Sequence, residues 1–339
     1  MTRPAAAGSQ WTAEVEVTPQ LAADLIREQF PDLGARRVTM LATGWDNTAF
    51  LVEGEWLFRF PRREIAVPGV HREIAVLPRL AARLPLPVPD PHFAGQPSSR
   101  YPWPFLGARL LQGAELADSG LSDSGRARAA AAVGHFLRVL HDPGLVSLVN
   151  DANLPVDPMR RASAPVRARM AREVLGRLER RGIWPGDADV SRLLGQAVRA
   201  AAGPGTGSAD RAAGAAEPAG AAAGDGGSGR GPLVVSHGDL HVRHLLVGQD
   251  GSVTGVIDWG DICLADPAVD LSIAYLGFAG KARADLLSAY GRPVSAEQEL
   301  AARACAISLA ASLVEYAAAE GRAPLLQECA AGLRRAVTA

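Results

Sequence analysis

The sequence predicts an α+β fold in two lobes, the first small and rich in strands, the second mostly helical. The chain has 339 residues, 48% hydrophobic and 21% charged, an ordinary globular composition with enough length for two domains or one two-lobed domain. Short apolar runs of strand character fill residues 37–61 and 101–112, with one helical pattern between them. From residue 122 onward the pattern is helical, apart from two short strand-like runs at 233–235 and 253–257. The division falls at residue 112, giving an N-lobe of 1–112 and a C-lobe of 113–339.

Residues 18–30 read as a helix with Thr18 as its N-cap. Three strands are expected in 37–61, where Phe50-Leu51-Val52 leads through a Gly54-Glu55 turn into Trp56-Leu57-Phe58-Arg59-Phe60. A helix follows over 68–84 and contains Glu73. Residues 85–91 are expected to be extended, because Pro85, Pro87, Pro89 and Pro91 each bias their predecessor away from the helix. A strand over 101–112 ends at Gly113, and helices are expected over 122–141, 160–182 and 187–200. Residues 201–232 contain no Leu, Ile, Val, Met or aromatic residue. They have nothing to bury and are expected to be a disordered insertion. Beyond 257 the chain is helical to its end. Its most apolar stretch, 300–319, carries Arg303 and Glu315 and reads as a buried helix in preference to a membrane span.

Charge and cysteine usage exclude several classes. Lys plus Arg is 35 and Asp plus Glu is 36, a net charge of −1, which argues against a nucleic-acid or membrane-surface partner. Lys281 is the single lysine, and every other basic residue is arginine. A P-loop needs G-x-x-x-x-G-K-[ST], and Gly280-Lys281-Ala282 does not supply it. A Schiff-base lysine would have to be Lys281, in what reads as a polar helix start. Cys263, Cys305 and Cys329 are widely spaced and odd in number, which suits a reduced, cytoplasmic protein. Residues 1–17 lack the apolar core of a secretory signal. Arg160, Arg161, Arg167, Arg169 and Arg172 read as a solvated helix face.

The chemistry concentrates in Ser236-His237-Gly238-Asp239-Leu240-His241-Val242-Arg243-His244, then Ile257-Asp258-Trp259-Gly260-Asp261, then Asp266-Pro267 with Asp270. A β-branched strand delivers His237 and Asp239 into a loop, and a later strand ends at Asp258. The two carboxylates are expected to converge from the ends of neighbouring strands. Such a pair suits one base and one metal ligand, the equipment of phosphoryl transfer. His237, His241 and His244 also raise a zinc site as a rival, though no cysteine or fourth ligand lies at metal spacing. Taken singly, His237 reads as a structural histidine, His241 as solvent-facing or substrate-side, Cys263 as a small buried thiol and Asp266 as a cap before Pro267.

These motifs resemble those of the aminoglycoside phosphotransferase family, the small-molecule kinases of the protein-kinase-like fold. The resemblance extends to Gly44-Trp45-Asp46-Asn47-Thr48-Ala49-Phe50, to Phe58-Arg59-Phe60-Pro61-Arg62-Arg63 and to Phe136-Leu137-Arg138-Val139-Leu140-His141, covering roughly residues 35–280. It implies that Asp239 is the catalytic base, Asp258 a metal-binding residue, and Asp270 the buried acid that braces the catalytic loop. It also implies that residues 43–49, with Gly44 and Asn47, cover the nucleotide, and that 107–112, with Arg109 and Leu111, form the hinge for the base. The implied cofactor is Mg²⁺, with ATP or GTP as phosphoryl donor and a hydroxylated small molecule as acceptor.

Two positions depart from the kinase pattern. The residue five after Asp239 is His244, where protein kinases carry a metal-binding Asn; imidazole is a poor direct ligand for Mg²⁺. A His here also resembles macrolide and 2''-aminoglycoside phosphotransferases, and His244 is placed at the metal, through a water or through a phosphate. The strand lysine of kinases is replaced by Arg59, with Glu73 as expected partner, since the guanidinium fork can meet a phosphate and a carboxylate together. The expected function is transfer of a γ-phosphoryl group to a hydroxyl of an antibiotic or similar metabolite. The rival is a non-catalytic pseudokinase that binds nucleotide or ligand. Residues 297–339 hold five acids and four arginines, which is not the acidic face a polycationic aminoglycoside needs.

Overall fold

The computed structural model describes residues 13–200 and 232–338. The expected insertion at 201–232 lies, except for Pro232, outside the described residues. Helix α1 (Pro19–Gln29) begins as expected, with the Thr18 hydroxyl accepting from the Leu21 N–H at 3.2 Å. Strands β1 (Val38–Thr43), β2 (Asn47–Val52) and β3 (Trp56–Pro61) follow, then helix α2 (Val67–Ala81). They join β4 (Pro91–Gly95) and β5 (Phe105–Arg109) in one antiparallel sheet of order β1-β2-β3-β5-β4. Sequence reading missed β4 because it begins at a proline. Its position at the sheet edge explains why proline is tolerated there. β5 is shorter than the expected 101–112, since Pro102 and Pro104 have no N–H to give to a ladder.

One face of this sheet carries an aromatic core. Phe50, Phe58, Phe60 and Phe105 are fully buried, with Phe60 stacked on Phe105 at 4.3 Å between centroids. A second, separate core fills the helical part, which is why the chain has two lobes. Helix α2 belongs to that second core through Val76, Leu77 and Leu80, although in the chain it lies between β3 and β4 of the first sheet. It approaches so closely that a Cβ on Gly69 would lie 2.9 Å from the Gly260 carbonyl oxygen.

The helical part comprises α3 (Ala127–Leu140), α4 (Pro143–Leu148), α5 (Ala164–Arg180), α6 (Ala188–Arg199), α7 (Ala268–Leu276), α8 (Gly280–Tyr290), α9 (Ala296–Ala319) and α10 (Ala323–Val337). By length and composition α9 is apolar enough to cross a membrane, but it packs against α5, α7 and α10 and two-thirds of that window is buried within the protein. Against the helices lie β6 (Ala114–Glu115), β8 (Leu245–Val247) and β9 (Val253–Val256) in one small sheet, and β7 (Val234–Ser236) with β10 (Cys263–Ala265) in another. The strands that lead to Asp239 and Asp258, β7 and β9, are therefore not paired neighbours; each belongs to its own sheet. Lys281 is exposed and pairs with Asp285 at 2.8 Å, so no desolvated amine exists there. Cys263, Cys305 and Cys329 are free and buried, and burial pushes the Cys263 thiol up to about 12.

Candidate active site

β7 ends at Ser236 and the chain turns through Gly238, whose φ of +88° only glycine takes without strain. A Cβ there would also lie 2.2 Å from the Asp261 carbonyl oxygen. The turn is held by Asp270, fully buried on α7. Its carboxylate accepts the N–H groups of His237 at 2.8 Å and Gly238 at 3.0 Å, and meets His141 Nε2 at 3.2 Å. Tyr290 lies 3.1 Å beyond, on His141 Nδ1. Burial alone would raise the Asp270 carboxyl, but His141 and the loop N–H groups outweigh it and hold the value below the ordinary range. Its stabilisation is therefore complete above the unfolded value of about 3.9 and is lost as pH falls through the lower folded one. Asp270→Ala would strand two buried donors, and a loss of about 3–5 kcal/mol is expected in denaturant unfolding.

His237 accepts the Asp239 N–H on Nδ1 at 3.2 Å and donates from Nε2 to the Ile257 carbonyl at 3.0 Å. That pattern requires a neutral ring, and burial lowers its pKa to about 4. His237 thus ties the loop before Asp239 to the segment that enters Asp258, as a structural residue should. His244 links the main chain at Asp239 to the Asp258 carboxylate. Its Nδ1 donates to the Asp239 carbonyl at 2.8 Å, and its Nε2 lies 3.3 Å from Asp258 Oδ2. Burial opposes a charge on His244, but the Asp258 and Asp239 carboxylates outweigh it and raise its pKa. Asp258, in turn, is held low despite burial, chiefly by His244 and Arg59. It sits at φ +65°, a left-handed conformation uncommon for a non-glycine residue, with half of its side chain open to the cleft.

Of the two expected positions His241 takes the second: it is not solvent-facing, and it borders the cleft. It is 6% exposed and packs on His244 with ring centroids 3.7 Å apart. Its burial reflects the short 240–244 turn, closed by the His244 N–H on the His241 carbonyl at 2.9 Å. Ligand atoms of Asp239, His241 and His244 all lie within 4.8 Å of one another, so two of the three histidines behind the zinc alternative cluster with Asp239, and His237 is not among them. For Mg²⁺ the donors fit best at Asp258. That ion takes one or two carboxylates and completes its shell with phosphates and water, so an open carboxylate suffices and an imidazole can stand beside it.

Arg161 is the functional residue that sequence reading missed. A solvated helix face was expected, but Arg161 precedes α5, in a turn where Asp157 accepts the N–H groups of Arg161 and Ala162 at 2.6 and 2.9 Å. Its guanidinium reaches Asp239 Oδ1 at 2.9 Å, Asp261 Oδ2 at 2.7 Å and the Gly238 carbonyl at 2.6 Å. Burial lifts the Asp239 carboxyl above its ordinary value, and Arg161 offsets part of that rise. No periodicity signals such a contact, because the turn at 157–163 hides Arg161 among helix-like neighbours. Arg161→Ala is expected to lower kcat on the order of 10²-fold by freeing Asp239 from its position. Steady-state kinetics should show this with little change in nucleotide KM; a change confined to KM would refute the positioning role.

Arg59 projects from β3 and pairs with Glu73 of α2, which is 1% exposed. Its other terminal nitrogen lies 3.7 Å from Asp258 Oδ1. Arg72, the neighbour of Glu73, donates to the Gly260 carbonyl at 2.6 Å. The Nε atoms of Arg59, Arg72 and Arg161 are buried without a hydrogen-bond partner among the described residues. Gly44 and Asn47 lie in the β1–β2 turn, closed by the Gly44 N–H on the Asn47 carbonyl at 2.8 Å and pinned by Arg62 and Arg63. Arg109 sends its side chain to Glu55 at 3.3 Å and over Trp56 at 4.7 Å, so any role there falls to its backbone. Leu111 lies over Gly255. Gly44, Asn47, Arg59, Arg72, Glu73, Arg109 and Leu111 border one cleft of about 760 Å³ that also contains Asp239, His244 and Asp258. His237 and Asp270 stand behind it as supports. Asp266 accepts the Ala268 N–H at 2.9 Å, as a cap should.

Residues 37–304 match the phosphotransferase enzyme family. The fold is similar to that of APH(2")-IIia in its GDP and kanamycin complex, with a TM-score of 0.62, 20% identity, and 93% of this chain and 97% of that one covered. It is also similar to macrolide 2'-phosphotransferase MphH from Brachybacterium faecium, with a TM-score of 0.54, 20% identity and coverage of 93% and 97%. An uncharacterized Bacillus subtilis protein, YcbJ, is 46% identical over 54 residues. That segment spans 16% of this chain and 18% of YcbJ.

Proposed function

Since the chain belongs to the phosphotransferase enzyme family, we propose that it transfers the γ-phosphoryl group of ATP or GTP to a hydroxyl of an antibiotic, aminoglycoside or macrolide, or of a similar metabolite. The observation that carries this reading is the convergence of Asp239 and Asp258 on His244 within one cleft, with Arg59 reaching Asp258 from the opposite wall. Asp239 orients the acceptor hydroxyl and takes its proton as the oxygen bonds to the γ-phosphorus. The bond from that phosphorus to the β–γ bridging oxygen breaks, and the nucleoside diphosphate leaves.

Arg59 and Arg72 supply fixed positive charge beside the phosphates in a chain that has no lysine in its first lobe. Asp258, with His244 next to it, would hold Mg²⁺, whose charge would neutralise that developing on the phosphates. The base of the nucleotide would lie between the sheet side, at Ala49 and Leu57, and Leu246 and Ile257 on the other, with 107–111 as its edge. A cytoplasmic location follows from the need for nucleoside triphosphate.

The test is a panel. The protein, Mg²⁺ and ATP or GTP are incubated with aminoglycosides, macrolides and amino alcohols, and one of these acceptors is expected to gain the mass of one phosphate. Nucleotide binding with no gain on any acceptor would favour the pseudokinase reading.

A further inference from the structure

The acceptor side of the cleft carries an apolar strip, and the charges around it balance. Met159 and Met170 are 49% and 43% exposed and border the cleft together. Two of the four methionines of the chain thus sit on this one wall, where their flexible thioethers can mould to an irregular apolar ligand. Leu309 and Leu313 face it from α9, and Tyr316 closes it, packed edge-on against Trp45 of the β1–β2 turn at 5.1 Å.

Each carboxylate at this end meets an arginine, although Asp239 and Asp261 share one, Arg161. Asp239 and Asp261 meet Arg161 at 2.9 and 2.7 Å, Glu115 meets Arg243 at 3.1 Å, and Asp46 meets Arg63 at 2.9 Å. With Arg161, Asp239 and Asp261, Arg167 brings the count to two acids and two arginines. It is 5% exposed, its guanidinium donates to the main-chain carbonyls of Met159 and Arg160, and no carboxylate among the described residues pairs with it. A ligand with several ammonium groups would find no excess of negative charge here.

We propose that the acceptor is a predominantly apolar alcohol with at most one cationic group, held against the Met159, Met170, Leu309, Leu313 and Tyr316 wall with its hydroxyl toward Asp239. The inference rests on the phosphotransferase reading and narrows its substrate class. The transfer is the one already written: the acceptor proton passes to Asp239, the acceptor oxygen bonds to the γ-phosphorus, and the diphosphate departs.

Calorimetric titration of the full chain loaded with a non-hydrolysable ATP or GTP analogue tests it, with a macrolide and kanamycin as the two probes. The macrolide should bind at least roughly tenfold more tightly than kanamycin. Equal affinities, a preference for kanamycin, or no binding of either probe would overturn the proposal. Met159→Glu with Met170→Glu places two acids on exposed positions that the fold should tolerate. The pair should weaken macrolide binding by roughly tenfold or more and narrow the preference; unchanged macrolide affinity would place the acceptor elsewhere and overturn it too. A failure of the phosphotransferase reading looks different: the macrolide preference persists, while no phosphate moves from ATP or GTP to any alcohol.

Discussion

Asp239→Asn is expected to lower kcat by roughly 10²- to 10⁴-fold, the range for loss of a general base, while nucleotide affinity stays near that of the wild type. The asparagine keeps the shape of the side chain and an oxygen for Arg161, which also retains Asp261 as a partner. What it removes is the capacity to accept the acceptor proton. Burial raises the Asp239 carboxyl, so the acidic limb of kcat/KM in the wild type should lie above the ordinary carboxyl value of about 3.9. As pH falls through that raised value the base is protonated and the rate declines. Stopped-flow or steady-state kinetics with parallel nucleotide titrations would separate the two effects. A variant whose kcat is intact but whose nucleotide binding is lost would make Asp239 a phosphate or metal residue instead.

The second large effect is on stability. Arg59→Ala leaves Glu73, 1% exposed, without its partner, and breaking a buried pair in this way costs about 3–5 kcal/mol. Burial already pushes the Glu73 carboxyl up to about 7, against the pull of Arg59. With Arg59 gone the folded value rises further above the unfolded one, near 4.3. The folded state then keeps a proton that the unfolded state has released, so the deficit deepens as pH rises from about 5 to about 8. Adding Glu73→Gln should restore much of the stability in urea unfolding. Nucleotide affinity should stay weak in the double variant, because the guanidinium beside Asp258 is still missing. Recovery of both would mean that Arg59 serves only to neutralise Glu73.

Much of this was legible in the sequence. Alternation and turn residues located β1 to β3, and helical periodicity located α2, α3, α5 and α6 within a few residues. The histidine-rich loop and Asp258 are legible by residue type and spacing, Arg59 with Glu73 and Asp270 through the resemblance to the aminoglycoside phosphotransferase family, and the fold brings them together. What stayed hidden depends on tertiary contact. Arg161 reaches Asp239 across 78 residues from a turn fixed by Asp157, and nothing local to Arg161 distinguishes it from its arginine neighbours. His241 carries the same polar signal whether exposed or stacked on His244. β7 and β9 were identified as strands, but sheet membership depends on β8 and β10, three-residue strands too short to show a pattern. His141, quoted only as the end of a helix, turns out to brace Asp270 from a distance of 129 residues.

The most direct measurement is a single-turnover experiment with nucleotide labelled at the γ-phosphate, run on the wild type and on Asp239→Asn with the best acceptor of the panel. The label should appear on the acceptor hydroxyl with the wild type, and should remain on bound nucleotide with the variant. Label transfer at the same rate in both proteins, or bound nucleotide that never yields its label to any acceptor in either, would contradict the assignment of this cleft to phosphoryl transfer through Asp239.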